Sequence, residues 1–331
     1  MDYLRGLMAL AVLLFHYDKW LNGRWDALLP QGKLGVYAVS VFFILSGLTL
    51  AWVYQGRLDW GMASWRQFYR KRFWRIFPLL SLVTFCTLLI DDKERSLTDV
   101  VLNFSGIFGW INPARDIATG AWSIGCELVY YAFFPLILLA GSGWRLIVAV
   151  VLAGLGWVYF AFLGYDPALP AQEYWWPAYV QVFNHAVFFV AGIWMAKSAW
   201  EFKPQLSGLL LVLVAILFFC WPVSGNAFEL VYGHNRLILS LLALMGVWFY
   251  LQAVPKLSGV AGKVLAWLGL ISYSLYLWHP VVFRGVQFGM RKAGLDPLGW
   301  QVFVLALAGS LVWSHFSYRY FERWVMDKFG T

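Results

Sequence analysis

The 331-residue chain is 61% hydrophobic and 13% charged, whereas a soluble globular domain is nearer half apolar and a quarter charged. That balance excludes an ordinary soluble fold. The formal charge of +8 then points to cationic loops and anionic lipid, with no need for a nucleic-acid partner. The 21 tryptophans and 17 tyrosines suit aromatic belts at two water interfaces. Cys86, Cys126 and Cys220 are odd in number and lie in apolar stretches. They predict neither a disulfide framework nor a zinc site, and no metal is expected.

Apolar runs of about 20 residues span a hydrocarbon core. Such runs predict ten helices, over 4–20, 34–54, 73–90, 122–141, 145–163, 178–196, 206–222, 236–252, 264–284 and 299–318. The first has a thin charge pattern and no A-x-A-like site after it, so it reads as a span and not a signal peptide. Between the third and fourth, LTDVVLNFSGIFGWIN (97–112) is too short to cross and predicts an interfacial or re-entrant helix. No fixed-period repeat, low-complexity tract or long polar segment interrupts the series. The expectation is an all-α polytopic bundle of about ten spans, one integral membrane domain over 1–331 with no appended soluble domain. Ten spans put both termini on one side. If that side is the cytoplasm, fifteen of the 25 Lys and Arg residues fall inside, including the block RQFYRKRFWR (66–75), as positive-inside bias requires.

Several polar residues stand out against this background. Arg5 and His16 are eleven residues apart, which on an α-helix is about 20° past three turns, so they share a face roughly 16 Å apart. Arg5 lies where it can snorkel to water or a phosphate, and His16 is expected about halfway across the bilayer. An ionisable group at that depth costs ~2–3 kcal/mol or more unless it faces protein or a wet cavity. The pair reads either as a functional stripe or as a topology signal plus a helix-bonding histidine. Ser46-Gly47 in the second span suits close helix packing. Arg72 and Arg75, three apart, share a helix face and form a fork suited to phosphate, or they anchor the inner surface. Glu127, after Trp122 and Ser123, is an intramembrane acid and so a functional candidate. LGLISYSLYLWHPVV puts Tyr273, Ser274, Tyr276 and His279 in one helix, with His279 toward its outer end in a structural or acceptor-side role. His185 and His315 read as helix–helix bonders and His234 as a loop-edge residue.

In order along the chain, these segments resemble the acyltransferase 3 family of integral membrane acyltransferases. MDYLRGLMALAVLLFH supplies Asp2, Leu4, Arg5, Gly6 and His16; VFFILSGLTL a Phe-Phe-x-x-Ser-Gly stretch; and YRKRFWRIFPL the R-x-x-R and proline of Arg72, Arg75 and Pro78. WSIGCELVYYAFFP is similar to the family's Trp-Ser-x-x-x-Glu segment and ISYSLYLWHPVV to its Ser-Tyr-x-x-Tyr-Leu-x-His segment. YRYFERW resembles its closing Arg and Glu, here Arg319 and Glu322. The short stretch before Asp2 and the cysteine beside Glu127 depart from the pattern.

The resemblance implies transfer of an acyl group, commonly acetyl, from a cytoplasmic acyl-CoA to a hydroxyl on an extracytoplasmic glycan or glycolipid. It implies a multi-pass protein of the bacterial inner membrane with both termini cytoplasmic, working beside envelope-polysaccharide assembly proteins. It gives His16 the central catalytic role, with Glu127 orienting it or binding the acceptor. It makes Arg5 essential and implicates Arg72 and Arg75 in handling the donor or in holding the cytoplasmic side together. The residues themselves then give the expectation that Arg5, Arg72 and Arg75 hold the acetyl-CoA donor and that Ser46, Trp122, Ser123, Tyr273 and His279 contact substrate. Direct transfer and an acyl-histidine route both remain open. A glycan- or lipid-precursor transporter would also suit buried polar residues in a ten-helix bundle, although no second-half counterpart of the motifs is present. A scaffold subunit would make every polar pair structural.

Overall fold

The computed structural model describes residues 1–330 apart from 24, 92, 140–143, 167–170, 199–200 and 254–256. The last two residues expected in the fourth span lie outside the described residues. The described chain is helical, with no strand. In order it runs α1 (Asp2–Asn22), α2 (Pro30–Tyr54), α3 (Met62–Ile90), α4 (Leu97–Ser105), α5 (Phe108–Ile111) and a 3-10 turn (Pro113–Arg115). It continues through α6 (Ala121–Leu139), α7 (Trp144–Phe162), α8 (Gln172–Tyr179), α9 (Val182–Lys197), α10 (Pro204–Cys220) and α11 (Phe228–Val231). Then come α12 (Gly233–Ala253), α13 (Gly259–Leu270), α14 (Ser272–Lys292), α15 (Trp300–Phe316), a π-helical turn (Ser317–Glu322) and α16 (Arg323–Phe329).

Local chemistry sets many of these ends. Pro30 and Pro204 open α2 and α10, where a missing N–H costs nothing. Ser96 caps α4 by accepting the Asp99 amide, and Gly106, at φ 72, closes it in the left-handed conformation that glycine tolerates. The expected short piece at 97–112 is therefore α4 and α5. Gly109 of α5 lies backbone to backbone on Gly125 of α6, where an added Cβ would sit 2.3 Å from the Gly125 carbonyl.

Six of the described helices are long and apolar enough to cross a membrane, or eight if the bent pairs α8–α9 and α13–α14 each count as one. The expectation of ten therefore holds only in part. α10 has 17 residues, and α1 carries Asp2, Arg5, His16, Asp18 and Lys19 among its 21. The bundle has an apolar core and an apolar outer surface, with a set of polar side chains buried between helices. On α7, Ile147, Val151, Leu155 and Val158 point outward, while Ser40, Asn184, His185, Arg236, Ser274, His279 and Glu322 are buried. In hydrocarbon, apolar side chains need no burial and polar ones need partners.

Three expected spans are corrected. The third is α3, whose 29 residues reach about 43 Å, so the basic block 66–75 rides on the helix instead of preceding it. The ninth does not run through 264–284. The chain breaks at Ile271, where α13 and α14 meet at 71°. The sixth is bent by 44° between α8 and α9. At that break the Cys126 thiol donates to the Val180 carbonyl at 3.3 Å, and the His185 ring meets the Tyr179 carbonyl at 2.7 Å. His315 accepts from the Trp267 indole at 3.0 Å, joining α15 to α13, and His234 is exposed.

The tightest helix pair is α2 with α9. Their backbones touch at two glycines: a Cβ on Gly47 would meet the Phe189 carbonyl oxygen at 2.0 Å, and one on Gly192 the Ile44 oxygen at 2.1 Å. Ser46-Gly47 thus does the packing that small residues do in membranes. Gly192→Ala is expected to force the helices apart and cost about 1–3 kcal/mol. A thermal melt of the detergent-purified variant with an unshifted midpoint would contradict that contact.

Candidate active site

A cavity of about 240 Å³ opens among the first turns of α1, the last turns of α2, the basic half of α3, the start of α6 and the start of α14. Its polar wall is Arg5, Ser46, Thr49, Arg72, Arg75, Ser123, Glu127, Tyr131, Tyr273 and Tyr276, with Phe42 and Phe43 among its apolar lining. Three guanidiniums and one carboxylate line it, so the cavity attracts anions.

The three arginines are held differently. Arg5 donates to Thr49 Oγ1 at 2.5 Å and to the Leu45 carbonyl at 3.4 Å on α2, and stands 3.5 Å from Asp2. Arg75 pairs with Glu322 at 3.2 Å and lies 5.4 Å from the Tyr273 ring centre. Glu322, nearly sealed in the π-helical turn, also accepts a short hydrogen bond from Ser274. A π turn adds a residue to the helix and re-aims the side chains in it, and here it aims the carboxylate inward. Arg72 has no ion pair with any described carboxylate, and its buried Nε finds no hydrogen-bond partner. A buried donor left unpaired is costly, so Arg72 is the cation most ready for a ligand.

Glu127 accepts from the Tyr131 hydroxyl at 2.9 Å, and Ser46 meets the same hydroxyl at 2.9 Å. Ser123 and the Tyr276 hydroxyl are 2.9 Å apart, and both reach the Gly120 carbonyl at 3.0 Å.

His16 is fourteen residues into α1 and six from its end, about 21 Å and 9 Å respectively, so it is well past the midpoint of the helix. Its Nδ1 is 2.8 Å from Nε2 of His279, and the two rings lie nearly parallel, inclined by 12° with centres 5.0 Å apart. Trp20 stacks on His16 at 5.0 Å and 7°. His279 sits early in α14, seven residues past its start at Ser272, and is fully buried.

The expected residues therefore separate into groups. Arg5, Ser46, Arg72, Arg75, Ser123, Glu127 and Tyr273 line one cavity. His16 and His279 form a pair beyond it, next to Tyr276, whose ring is 6.2 Å from that of His279. Glu127 is bonded to Tyr131, and the group against His16 is His279. Trp122 is buried in an aromatic cluster with Tyr179, His185 and Trp176 at 5.1–5.9 Å and is not part of the cavity wall. Sequence reasoning passed over Thr49, Tyr131 and Trp20. Helical spacing carried a signal for two of them, since Tyr131 is four residues from Glu127 and Trp20 four from His16. Among the described residues, no three His, Cys, Asp or Glu side chains converge as metal ligands.

A family model described as an acyltransferase domain, that of the acyltransferase 3 family, matches residues 1–319. The chain belongs to this family. A Staphylococcus aureus protein provisionally named an O-acetyltransferase is 22% identical over 97% of this chain and 56% of its own length. The acyltransferase MdmB of Streptomyces mycarofaciens is 25% identical over 81% of this chain and 72% of its own. A Bacillus subtilis protein, YrhL, provisionally named a peptidoglycan O-acetyltransferase, is 23% identical over 98% and 54%. The chain spans little more than half the length of the staphylococcal and Bacillus relatives. No solved structure matches it significantly.

Arg72→Ala and Arg75→Ala are expected to part company in stability. Loss of Arg75 strands the Glu322 carboxylate and should cost ~1–3 kcal/mol, less than a fully sealed pair because Arg75 is partly accessible. Arg72→Ala should leave the melting temperature within error. Equal melting temperatures for the two variants would contradict this assignment.

Proposed function

We propose that the protein is a membrane O-acyltransferase that moves an acyl group, acetyl in the simplest case, from acyl-CoA to a hydroxyl of a glycan or glycolipid. The observation that carries this reading is the anion-attracting cavity, with the unpaired Arg72 in its wall and the His16–His279 pair beyond. The cavity is smaller than the ~300–1,000 Å³ of pockets that enclose a whole ligand. It suits the thioester arm of the donor, with the nucleotide phosphates at the arginines. The cationic block on α3 supports a cytoplasmic donor side, and with it cytoplasmic termini and about ten crossings in an inner membrane. We read the whole of 1–331 as one membrane domain.

In this mechanism Arg72 and Arg5 attract the donor phosphates, while Arg75 chiefly holds the site together through Glu322. Ser46, Ser123, Glu127, Tyr131 and Tyr273 line the path of the acyl arm. His16 takes the proton of the acceptor hydroxyl, whose oxygen attacks the thioester carbonyl. The C–S bond breaks, and the proton returns to the departing sulfur, giving an ester and free CoA thiol. General-base help of this kind is worth about 10²–10⁴ in rate. The peptidoglycan in the name of the Bacillus relative supports a glycan acceptor, and envelope-assembly proteins are fitting neighbours.

Binding of acetyl-CoA to the protein in nanodiscs tests the donor assignment. Saturable binding is expected, weaker for 3′-dephospho-acetyl-CoA and weaker again for Arg72→Ala. Absence of binding at millimolar acetyl-CoA by folded protein would sink the reading. With a turnover assay in place, His16→Ala should lose thiol release by about 100-fold or more while the purified protein stays folded, and retained turnover would remove His16 from the chemistry.

A further inference from the structure

We propose that His279 is a positioning residue, which holds His16 in the Nδ1–H tautomer and so leaves the Nε2 lone pair of His16 free to accept a proton. The consequence for catalysis rests on reading His16 as the base. The tautomer itself is a separate statement about where one hydrogen sits.

The assignment follows from which groups can only accept. Nδ1 of His279 is 3.1 Å from the Leu275 carbonyl oxygen. A carbonyl has no hydrogen to give, so Nδ1 of His279 carries one. A neutral imidazole has a single N–H, so Nε2 of His279 is bare. Nδ1 of His16, 2.8 Å away, must then supply the hydrogen between the rings. The relay has one direction, from His16 through His279 to the backbone of α14, and it ends with an open lone pair on Nε2 of His16.

The sequence supplies the anchors. Pro280 follows His279 inside α14 and has no N–H, so the Tyr276 carbonyl loses its helical partner. The ring of His279 is anchored through Nδ1 to the Leu275 carbonyl, one turn back in the same helix. The neighbour of His16, Tyr17, fixes the level of α1 against α14. Its hydroxyl meets the His279 carbonyl at 3.1 Å and Ser310 Oγ at 2.7 Å. Trp20 covers the other side of the His16 ring.

Protonation of His16 changes the character of these contacts. The inter-ring bond becomes charge-assisted, and the Trp20 face attracts the imidazolium. Among the described residues no carboxylate bonds to either ring, so the pair holds the transferred proton without a counter-ion and passes it on to the departing sulfur.

Solid-state NMR of protein carrying ¹⁵N-histidine in nanodiscs reads the tautomers, with the five histidines assigned from single-substitution variants. The wild type is expected to have His16 protonated on Nδ1 and bare on Nε2, with a ¹⁵N–¹⁵N coupling to His279. In His279→Leu, His16 should revert to the Nε2–H form, and thiol release from acetyl-CoA should fall about 100-fold or more. His279→Gln returns an acceptor oxygen at the place of Nε2, and should restore the tautomer and at least about tenfold of the lost rate. A wild-type His16 protonated on Nε2 overturns the proposal without any variant. An unmoved tautomer in His279→Leu, or a moved tautomer with unmoved rate, overturns the positioning role. A wild type with the expected tautomer that neither binds acetyl-CoA nor releases its thiol overturns the acyltransferase reading instead.

Discussion

A charge inside an apolar bundle needs a partner, and the pairing of Arg75 with Glu322 ties together three parts of the chain that are far apart in sequence. The guanidinium comes from α3, the carboxylate from the π-helical turn after α15, and Ser274 and Tyr273 from α14. The Tyr273 hydroxyl closes the ring of contacts by donating to the Ile76 carbonyl at 2.8 Å. Breaking such a pair leaves an uncompensated ion in a medium that solvates it poorly. The start of α14 is therefore pinned to α3, and the cavity wall takes its shape from that junction.

The bend between α13 and α14 is seated by a close helix contact. Gly6 of α1 packs on Leu268 and Gly269, where a Cβ would come within 2.6–2.8 Å of three atoms. The close approach lets α13 lie across the base of α1 while α14 turns up alongside it. That turn carries His279 to the level of His16, deep in the bundle.

Two chemical environments result, in series. The cavity is lined by three guanidiniums and one carboxylate, and among the described residues Arg72 has no ion pair. The histidine pair has no charge and is bordered by aromatic rings, with Tyr276 touching both regions. A donor with phosphates and a neutral acyl arm matches that order of polarity, and a base without a counter-ion suits the far end.

Much of this was legible in the sequence. Apolar runs of helical length identify most of the helices, because hydrocarbon forces every backbone amide to bond within its own helix. The i, i+3 spacing of Arg72 and Arg75 put both on one wall, as a helix dictates. The spacing of Arg5 and His16 gave a shared face, yet the two meet different neighbours, α2 and α14, because neighbours are not a property of one helix. The break at Ile271, the partner of Arg75 and the pairing of the two histidines, 263 residues apart, came only with the tertiary structure. Each depends on close approaches between distant segments, such as Gly6 on Gly269, whose geometry no local pattern encodes. Local sequence determines which residues are polar within an apolar helix; only packing decides which of them are partnered and which one is left open for a ligand.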